Sequence, residues 1–293
     1  MTTRPFLTLL MLACTLLASA CSLTPTAIPP TGTAAPVVPP PPAELTYDML
    51  ANFTWLAPVS GRSITLVDGA YASGSDPSAE DFLQTTLDPR FALGDLDYDG
   101  DEDAAILLAE NMGGTGVFVS LIAVLNNNGV PLQAASVYVD DRPMINDLLI
   151  EAGEILLDTV LHGATDPMCC PSMPVVLGYR LYNLNELVLT RRAGQTSGGA
   201  PRQINIANPA DLADAAYPVI ISGSVTIGPF ENTLVTGGSV MTDSLNPGDP
   251  GNFSLSLDLA LAGVTGLVRV EFIEYSMMDG SIMTLDSVLF NIP

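Results

Sequence analysis

The chain has 293 residues, and 48% of them are apolar, so it is long enough to bury one large core or two smaller ones. Its charge is one-sided: 32 acidic residues stand against nine basic ones, all arginine, for a formal net charge of −23. This balance argues against nucleic acid as a partner, because phosphate binding needs clustered basic residues, and against docking on anionic lipid by charge alone.

The first twenty residues have the pattern of a secretory signal. One positive residue, Arg4, precedes an apolar run from Phe6 to about Ala18, and small residues follow. The run is too short to persist as a membrane helix. Its exit, "LASAC", ends at Cys21 and resembles the lipobox of bacterial lipoproteins, in which the cysteine becomes the first mature residue. The resemblance implies that Cys21 carries covalently attached lipid, and that palmitate is one of its acyl groups. An ordinary secreted protein cut nearby is the alternative.

Residues 21–43 predict a tether that begins at the lipidated cysteine. The stretch "SLTPTAIPPTGTAAPVVPPPP" has no charge and is dominated by proline, threonine and alanine, a composition that favours extended polyproline II. At about 3 Å per residue it can hold a domain several nanometres from a surface. We therefore expect a protein anchored by lipid on the extracytoplasmic side of the bacterial cell envelope.

Residues 44–190 predict a mostly β domain. "ELTYDMLANFTWL" begins it with a short helix that places Leu45, Met49 and Leu50 on one side, and Trp55 is expected to anchor the core rather than to stack on a sugar. Short apolar runs separated by turn signals follow, which predicts an antiparallel β-meander. The predicted strands are 63–70, 81–86, 91–96, 104–110, 117–126, 132–139, 148–150, 155–161, 175–184 and 187–190.

The stretch "GDLDYDGDED", residues 94–103, concentrates negative charge in this domain. Six carboxylates lie between positions 95 and 103, and the nearest base is Arg90. Like charges this close repel one another, so they need a cation or free solvation. Carboxylates at alternate places followed by a glycine are the start of a calcium-binding loop. The candidate Ca²⁺ ligands are Asp95, Asp97, Asp99, Asp101 and Asp103.

The loop is not an EF-hand, because the twelfth place, which needs a bidentate Glu, is Ile106. With β-like flanks on both sides, it resembles the strand–loop–strand calcium turn of FG-GAP propeller repeats. In that family the ninth-place Asp, here Asp103, closes the site. A single copy indicates one blade-like meander rather than a whole propeller. We expect a structural Ca²⁺ site, and a solvated acidic turn is the alternative.

The stretch "VLHGATDPMCCP" contains the only histidine, His162, and the adjacent pair Cys169 and Cys170. In an oxidising compartment the two cysteines are candidates for a vicinal disulfide, which would rigidify one loop, or they stay reduced. A Cys–His nucleophile pair and a thiolate metal site are alternatives that this spacing supports poorly. We expect a structural loop.

Residues 191–203, "RRAGQTSGGAPRQ", are rich in Gly, Ser and Arg and predict a linker between domains. Residues 204–293 hold about seven short strands, which suits a β-sandwich. The stretches "ISGSVTIGPFENTL", "PGDPGNFSLSLDL" and "EYSMMDGSIMTLDSVLFNI" resemble the immunoglobulin-like domain of bacterial spore-germination and cell-surface lipoproteins. That resemblance implies a binding or spacer role.

The function predicted from these features is non-catalytic. No G-x-S-x-G motif is present, and one histidine cannot supply an H-E-x-x-H motif. We expect a binding or scaffolding module at the bacterial surface, with an envelope protein or glycan as partner and no nucleic acid. The alternatives are an extracytoplasmic hydrolase with an unrecognised site and a purely structural spacer.

Overall fold

The computed structural model describes residues 43–196, 198–226, 230–236, 239–245, 250–257 and 263–293. Pro42–Pro293 form one compact unit. The predicted signal, Cys21 and all but the last residue of the predicted tether lie outside the described residues, so lipidation of Cys21 stays a prediction. Within the described part, no helix has the length and apolar character needed to cross a bilayer.

The described chain is mostly β, as the sequence predicts, with several antiparallel sheets and one short helix. Its elements are α1 (Tyr47–Ala51), β1 (Thr54–Leu56), β2 (Ser63–Thr65), β3 (Ala70–Ser73), β4 (Leu83–Gly94), β5 (Asp103–Asn111), β6 (Phe118–Asn126), β7 (Pro131–Asp141), β8 (Met144–Glu151), β9 (Glu154–Leu161), β10 (Met173–Tyr182), β11 (Glu186–Gln195), β12 (Pro201–Arg202), β13 (Ile204–Asn208), β14 (Val219–Val225), β15 (Phe230–Thr236), β16 (Ser239–Leu245), β17 (Gly251–Leu257), β18 (Gly266–Tyr275) and β19 (Ile282–Ile292).

Strands β3 to β7 form a five-stranded antiparallel meander in chain order. Its central strands β5 and β6 are buried on both faces, which explains why they read as nearly continuous apolar runs, "AAILLA" and "LIAVL". One face packs on a layer made of α1 and the β1–β2 pair. In that layer Trp55 is fully buried and its indole N–H donates to the carbonyl of Leu50, 3.0 Å away, so the prediction of a core anchor is confirmed.

The other face of the meander packs on a second, larger antiparallel sheet. Ile155 and Leu157 from β9 and Leu177 from β10 meet Leu107 and Leu121 there in a continuous apolar core. The larger sheet has the strand order β16-β15-β18-β19-β11-β10-β9-β8, with β12 paired to β11. The acidic turn and the cysteine loop both lie at connections between strands that enclose this core.

The segment assigned to a linker from sequence has a different structure. Its first five residues, 191–195, are the second half of β11, and residues 201–202 pair with that strand as β12. Arg191 and Arg192 pair with Asp286 and Leu285 of β19, so the sheet continues from the N-terminal into the C-terminal part of the chain. Its Gly and Ser content indicated flexibility, but the segment is held by these ladders.

In the C-terminal part, β13, β14 and β17 form a three-stranded sheet. It packs with β18 and β19 around a third apolar cluster, in which Phe272 and Phe290 are fully buried. The parts of this region that the structure describes therefore place two layers of strands about one core.

Two predicted strand boundaries differ from the structure for local reasons. Strand β4 is one strand where two were predicted, because its register shifts between Leu87 and Phe91 and then resumes. Pro89 lies in the shift and has no N–H to donate to the ladder. The predicted strand 63–70 is in fact β2 followed by a turn, in which Asp68 and Gly69 have φ of 52° and 81°.

Candidate functional site

The acidic stretch forms the turn that joins β4 to β5, two strands in the interior of the five-stranded sheet. Gly94 pairs with Asp103 at its base. Tyr98 and Gly100 have positive φ, 65° and 95°, and a residue without Cβ at position 100 permits the sharp turn. The chain turns here because the apolar residues of β4 and β5 on either side remain in the sheet, so the charged residues between them lie beyond its edge.

Asp95, Asp97 and Asp99 converge in this turn. Each offers one carboxylate oxygen, and these atoms lie within 4.8 Å of one another. Asp95 also accepts the backbone N–H groups of Tyr98, at 2.6 Å, and of Gly100, at 3.1 Å. These bonds hold the turn in a conformation that keeps the three carboxylates together. Such a set of hard oxygen atoms is the ligand type that Ca²⁺ prefers.

Asp101 and Asp103 are not brought into this group. Asp103 is buried, and its two oxygens accept the backbone N–H groups of Leu96 and Asn126, each at 2.8 Å. It therefore fixes the base of the turn rather than closing a ligand ring. The side-chain amide of Asn126 in turn donates to the carbonyl of Ala43, 2.8 Å away. These bonds join residues distant in sequence, so the spacing of acidic residues does not reveal them.

The turn is electrostatically strained by its own charges. Desolvation raises the pKa of Asp97, and the charges of Asp99 and Asp95 raise it further. Desolvation, followed by the closeness of the Asp99 carboxylate and the other neighbouring charges, raises the pKa of Asp101 to about 6. One oxygen of Asp101 is buried and has no hydrogen-bond partner among the described residues. A divalent cation at Asp95, Asp97 and Asp99 would offset this repulsion.

Tyr98 connects the turn to the larger sheet. Its hydroxyl donates to the carbonyl of Ala152 at 3.1 Å and accepts from Arg180 at 2.7 Å. Arg180 also forms an ion pair with Asp211. Gly153 gives the tyrosine ring room, because a Cβ there would collide with it. No local sequence signal points to this network, because its members come from four separate segments.

The cysteine loop lies between β9 and β10. Cys169 and Cys170 are both exposed and are joined by a disulfide. Asp166 closes the loop by accepting the backbone N–H groups of Gly163 and Ser172, each at 2.8 Å. Asp166 therefore ties the two ends of the loop together, whereas the disulfide constrains only the backbone at Cys169 and Cys170.

His162 lies beside Asp140 at the start of that loop. Its Nδ1 is 3.1 Å from an oxygen of Asp140, and its backbone N–H donates to the same oxygen at 2.6 Å. Its Nε2 is buried without a hydrogen-bond partner in the described chain. A histidine oriented by a carboxylate is the form of a general base. Because Cys169 and Cys170 are bonded to each other, neither presents a free thiol to it.

Two open cavities lie on the larger sheet and at the edge of the inter-sheet core. One has a volume of about 420 Å³ and is lined by residues of β8 to β12 and by Gln203. The other has a volume of about 320 Å³ and is lined by residues of β4 to β6, of β8 and of the turn before β8. Neither is lined by His162 or by an aromatic side chain from the described residues. They therefore lack the stacking surface that sugar binding commonly uses.

No protein-family model, curated protein or solved structure matches the chain. The acidic turn is the candidate site that its own geometry supports best.

Proposed function

We propose that the chain is a non-catalytic lipoprotein of the bacterial cell envelope, a binding or scaffolding module whose fold is stabilised by Ca²⁺. The convergence of Asp95, Asp97 and Asp99 within 4.8 Å carries the calcium part of the proposal. Calcium takes six to eight oxygens, so three carboxylates would be completed by carbonyl groups and water. Because the turn joins two interior strands, the ion would act as a structural staple rather than as a sensor.

The location follows from the sequence. An N-terminal signal, Cys21 as lipid acceptor and an uncharged proline-rich segment would tether the described unit to the extracytoplasmic face of the membrane. The two layers of strands around Phe272 and Phe290 support an immunoglobulin-like sandwich in the C-terminal part. Such modules commonly present a surface to a protein or glycan, and this surface would be strongly acidic.

The calcium proposal is tested by thermal unfolding of the whole chain in chelator and in Ca²⁺. A ligand that binds only the folded state at a hundred times its Kd adds about 2.7 kcal/mol to the free energy of unfolding. For a unit of this size we expect a rise in Tm of roughly 5–10 °C. The double variant Asp97→Asn, Asp99→Asn should lose that rise. The control variant Glu80→Gln, Glu186→Gln removes the same number of charges at exposed positions and should keep the calcium-dependent rise in Tm.

If millimolar Ca²⁺ does not change the Tm of the parent chain, the calcium proposal is wrong and the acidic turn is simply solvated. A calcium response that survives in the Asp97→Asn, Asp99→Asn variant would place the ion elsewhere. Capture of partners from intact cells addresses the second part of the proposal, because a purely structural spacer would enrich no specific protein or glycan.

An extracytoplasmic hydrolase is the second candidate, favoured by the Asp140–His162 pair with its buried Nε2. It requires a nucleophile or a bound water within reach of that nitrogen. Hydrolysis of ester or peptide substrates that is lost in His162→Gln, with the fold intact by circular dichroism, would support it. Absence of turnover in the parent chain would remove it.

A further inference from the structure

Arg192 is the one arginine among the described residues that has no oxygen partner. Six of the other seven form ion pairs with carboxylates. The seventh, Arg62, donates to the backbone carbonyls of Glu80 and Asp81. Arg192 reaches only the sulfur of Met173, at 3.8 Å. In a chain with 32 acidic residues, a cation without an anion requires an explanation.

The strand register places Arg192 on the inner face of the larger sheet. It pairs with Leu177 across β10 and β11, and Leu177 belongs to the buried core between the two sheets. Its side chain is half-buried. Desolvation lowers the pKa of Arg192, with the hydroxyl of Tyr179 as the opposing contribution. The fold therefore removes water from this guanidinium without supplying a counter-charge.

A small cavity adjoins Arg192. Its walls are mostly apolar, and its polar lining includes a second cation, Arg202; the lining residues are Met173, Val175, Arg192, Gly194, Gln195, Arg202 and Met283. Arg202 is 3.6 Å from Glu274, and its Nε is buried and has no hydrogen-bond acceptor in the described chain. Two guanidinium groups and one carboxylate leave a net charge of +1. The polar side chains that line the cavity are the two guanidinium groups and the amide of Gln195, and the nearby Oε2 of Glu274 is buried without a hydrogen-bond donor in the described chain.

The size of the cavity limits what can enter it. Its volume is about 20 Å³. A cavity needs roughly 10–15 Å³ measured in this way to hold one water molecule. There is room for a single particle of about that size, which excludes phosphate, sulfate and nucleotides. Because the guanidinium group is weakly hydrated, it pairs readily with a small anion in apolar surroundings.

We propose that this cavity binds one chloride ion, held by the guanidinium groups of Arg192 and Arg202. The chloride ion would balance the charge of Arg192, which has no carboxylate partner among the described residues, and it would stabilise the junction of β10, β11 and β12. The site is separate from the acidic turn and independent of the calcium proposal, because its charge requires an anion.

Bromide is the direct probe, since it replaces chloride and gives an anomalous X-ray signal. Crystals of the whole chain grown or soaked in sodium bromide should show an anomalous peak in contact with the Arg192 guanidinium. Peaks confined to other surface arginines, or none at Arg192, would overturn the proposal. This measurement needs no variant and so does not depend on whether a substituted chain folds.

Thermal unfolding in sodium chloride against sodium gluconate, at equal sodium concentration and in chelator, gives the energetic test. Gluconate is too large for the cavity, and equal sodium holds the screening of the acidic surface constant. At ten times the chloride Kd we expect the Tm of the parent chain to be about 3–5 °C higher in chloride. Arg192→Met should lose this difference, and in gluconate it should melt above the parent, since the unpaired charge is gone.

Arg62→Met is the matched control, because it removes the other arginine that has no carboxylate partner. It should be less stable than the parent in both salts and keep the full chloride dependence. A chloride dependence that Arg192→Met retains, or that Arg62→Met loses equally, would show a general salt effect and would contradict the site.

Discussion

Buried charge at the residue scale is concentrated around Arg191. Its side chain lies 3.5 Å from Glu154 and 3.9 Å from Asp286, on the face of the larger sheet opposite the inter-sheet core. Glu154 also accepts the hydroxyl of Thr190, and Asp286 accepts the backbone N–H of Ile206, each at 2.7 Å. One arginine thus faces two carboxylates, and the second negative charge is only partly compensated.

Because of Asp286, the free energy of unfolding should decrease as the pH rises from about 4 to about 6. Burial raises its pKa from 3.8 to about 6, against the opposing effect of the Ile206 N–H and Arg191, and Glu154 raises it further. Between these two pH values the Asp286 carboxyl is protonated in the folded chain and ionised in the unfolded chain. The free energy of unfolding therefore decreases as the pH rises through this window, and it stays constant above about pH 6. Asp286→Asn removes this dependence and keeps an acceptor for Ile206.

Urea unfolding at several pH values checks this prediction as a difference between Asp286→Asn and the parent. The variant should gain on the order of 2 kcal/mol relative to the parent from the acid to the neutral end of the window. Other carboxylates titrate in both proteins and cancel in the difference. A constant difference across the window would contradict the raised pKa of Asp286.

At the scale of elements, a buried carboxylate joins the five-stranded sheet to the layer that covers it. Glu110 of β5 is fully buried, and its two oxygens accept the backbone N–H groups of Val59 and Ser60, each at 2.9 Å. Those residues lie in the turn between β1 and β2. The carboxylate accepts hydrogen bonds from two backbone N–H groups of this turn that have no partner in a β ladder, as a neighbouring strand would.

Glu110→Gln should destabilise the chain by about 1–3 kcal/mol, because an amide has one acceptor oxygen and presents its NH₂ group to the other backbone donor. Urea unfolding measures the loss, and hydrogen exchange should show faster opening of residues 57–62 than of β5. Glu186→Gln, an exposed matched change, should have almost no effect. Unchanged exchange in the turn would refute this role of Glu110.

The elements that follow from local pattern were predicted well, and those set by long-range contacts were not. Local sequence patterns predict the apolar runs of β5 and β6, the short helix α1 and the burial of Trp55. The acidic turn was likewise located by its spacing. The roles of Asp103 and Tyr98 depend on Asn126, Ala152 and Arg180, which the fold alone brings near.

At the scale of the whole molecule, the N-terminal and C-terminal parts share a sheet. The ladder between β11 and β19, the ion pair of Arg180 with Asp211 and the cluster around Arg191 all cross the boundary at which a linker was predicted. A cavity of about 100 Å³ lies between these groups, so the junction is held by these polar contacts and the strand ladder, with space for water between them. Composition alone cannot reveal such a junction, since Gly and Ser occur in paired strands as well as in loops.

This junction predicts one cooperative unfolding transition for the described unit. Two domains on a flexible linker would melt independently, whereas shared strands couple their unfolding. Calorimetry of the whole chain at fixed Ca²⁺ should give a calorimetric enthalpy equal to the van't Hoff enthalpy. Arg180→Met should lower Tm and keep a single transition. Two resolved peaks in the parent chain would restore the picture of separate domains.

The bond between Asn126 and Ala43 has a mechanical consequence. With the proposed lipid anchor, a pull on the N-terminal segment would reach the described residues first at Ala43. Its carbonyl is held by Asn126, whose backbone N–H is held by Asp103 at the base of the acidic turn. Gly129 lets Ala43 sit this close, because a Cβ there would come within 2.7 Å of the alanine methyl. With the proposed lipid anchor, force on the N-terminal end would therefore be transmitted to the same turn that gathers the carboxylates, and an ion that stiffens that turn would also strengthen the attachment under load.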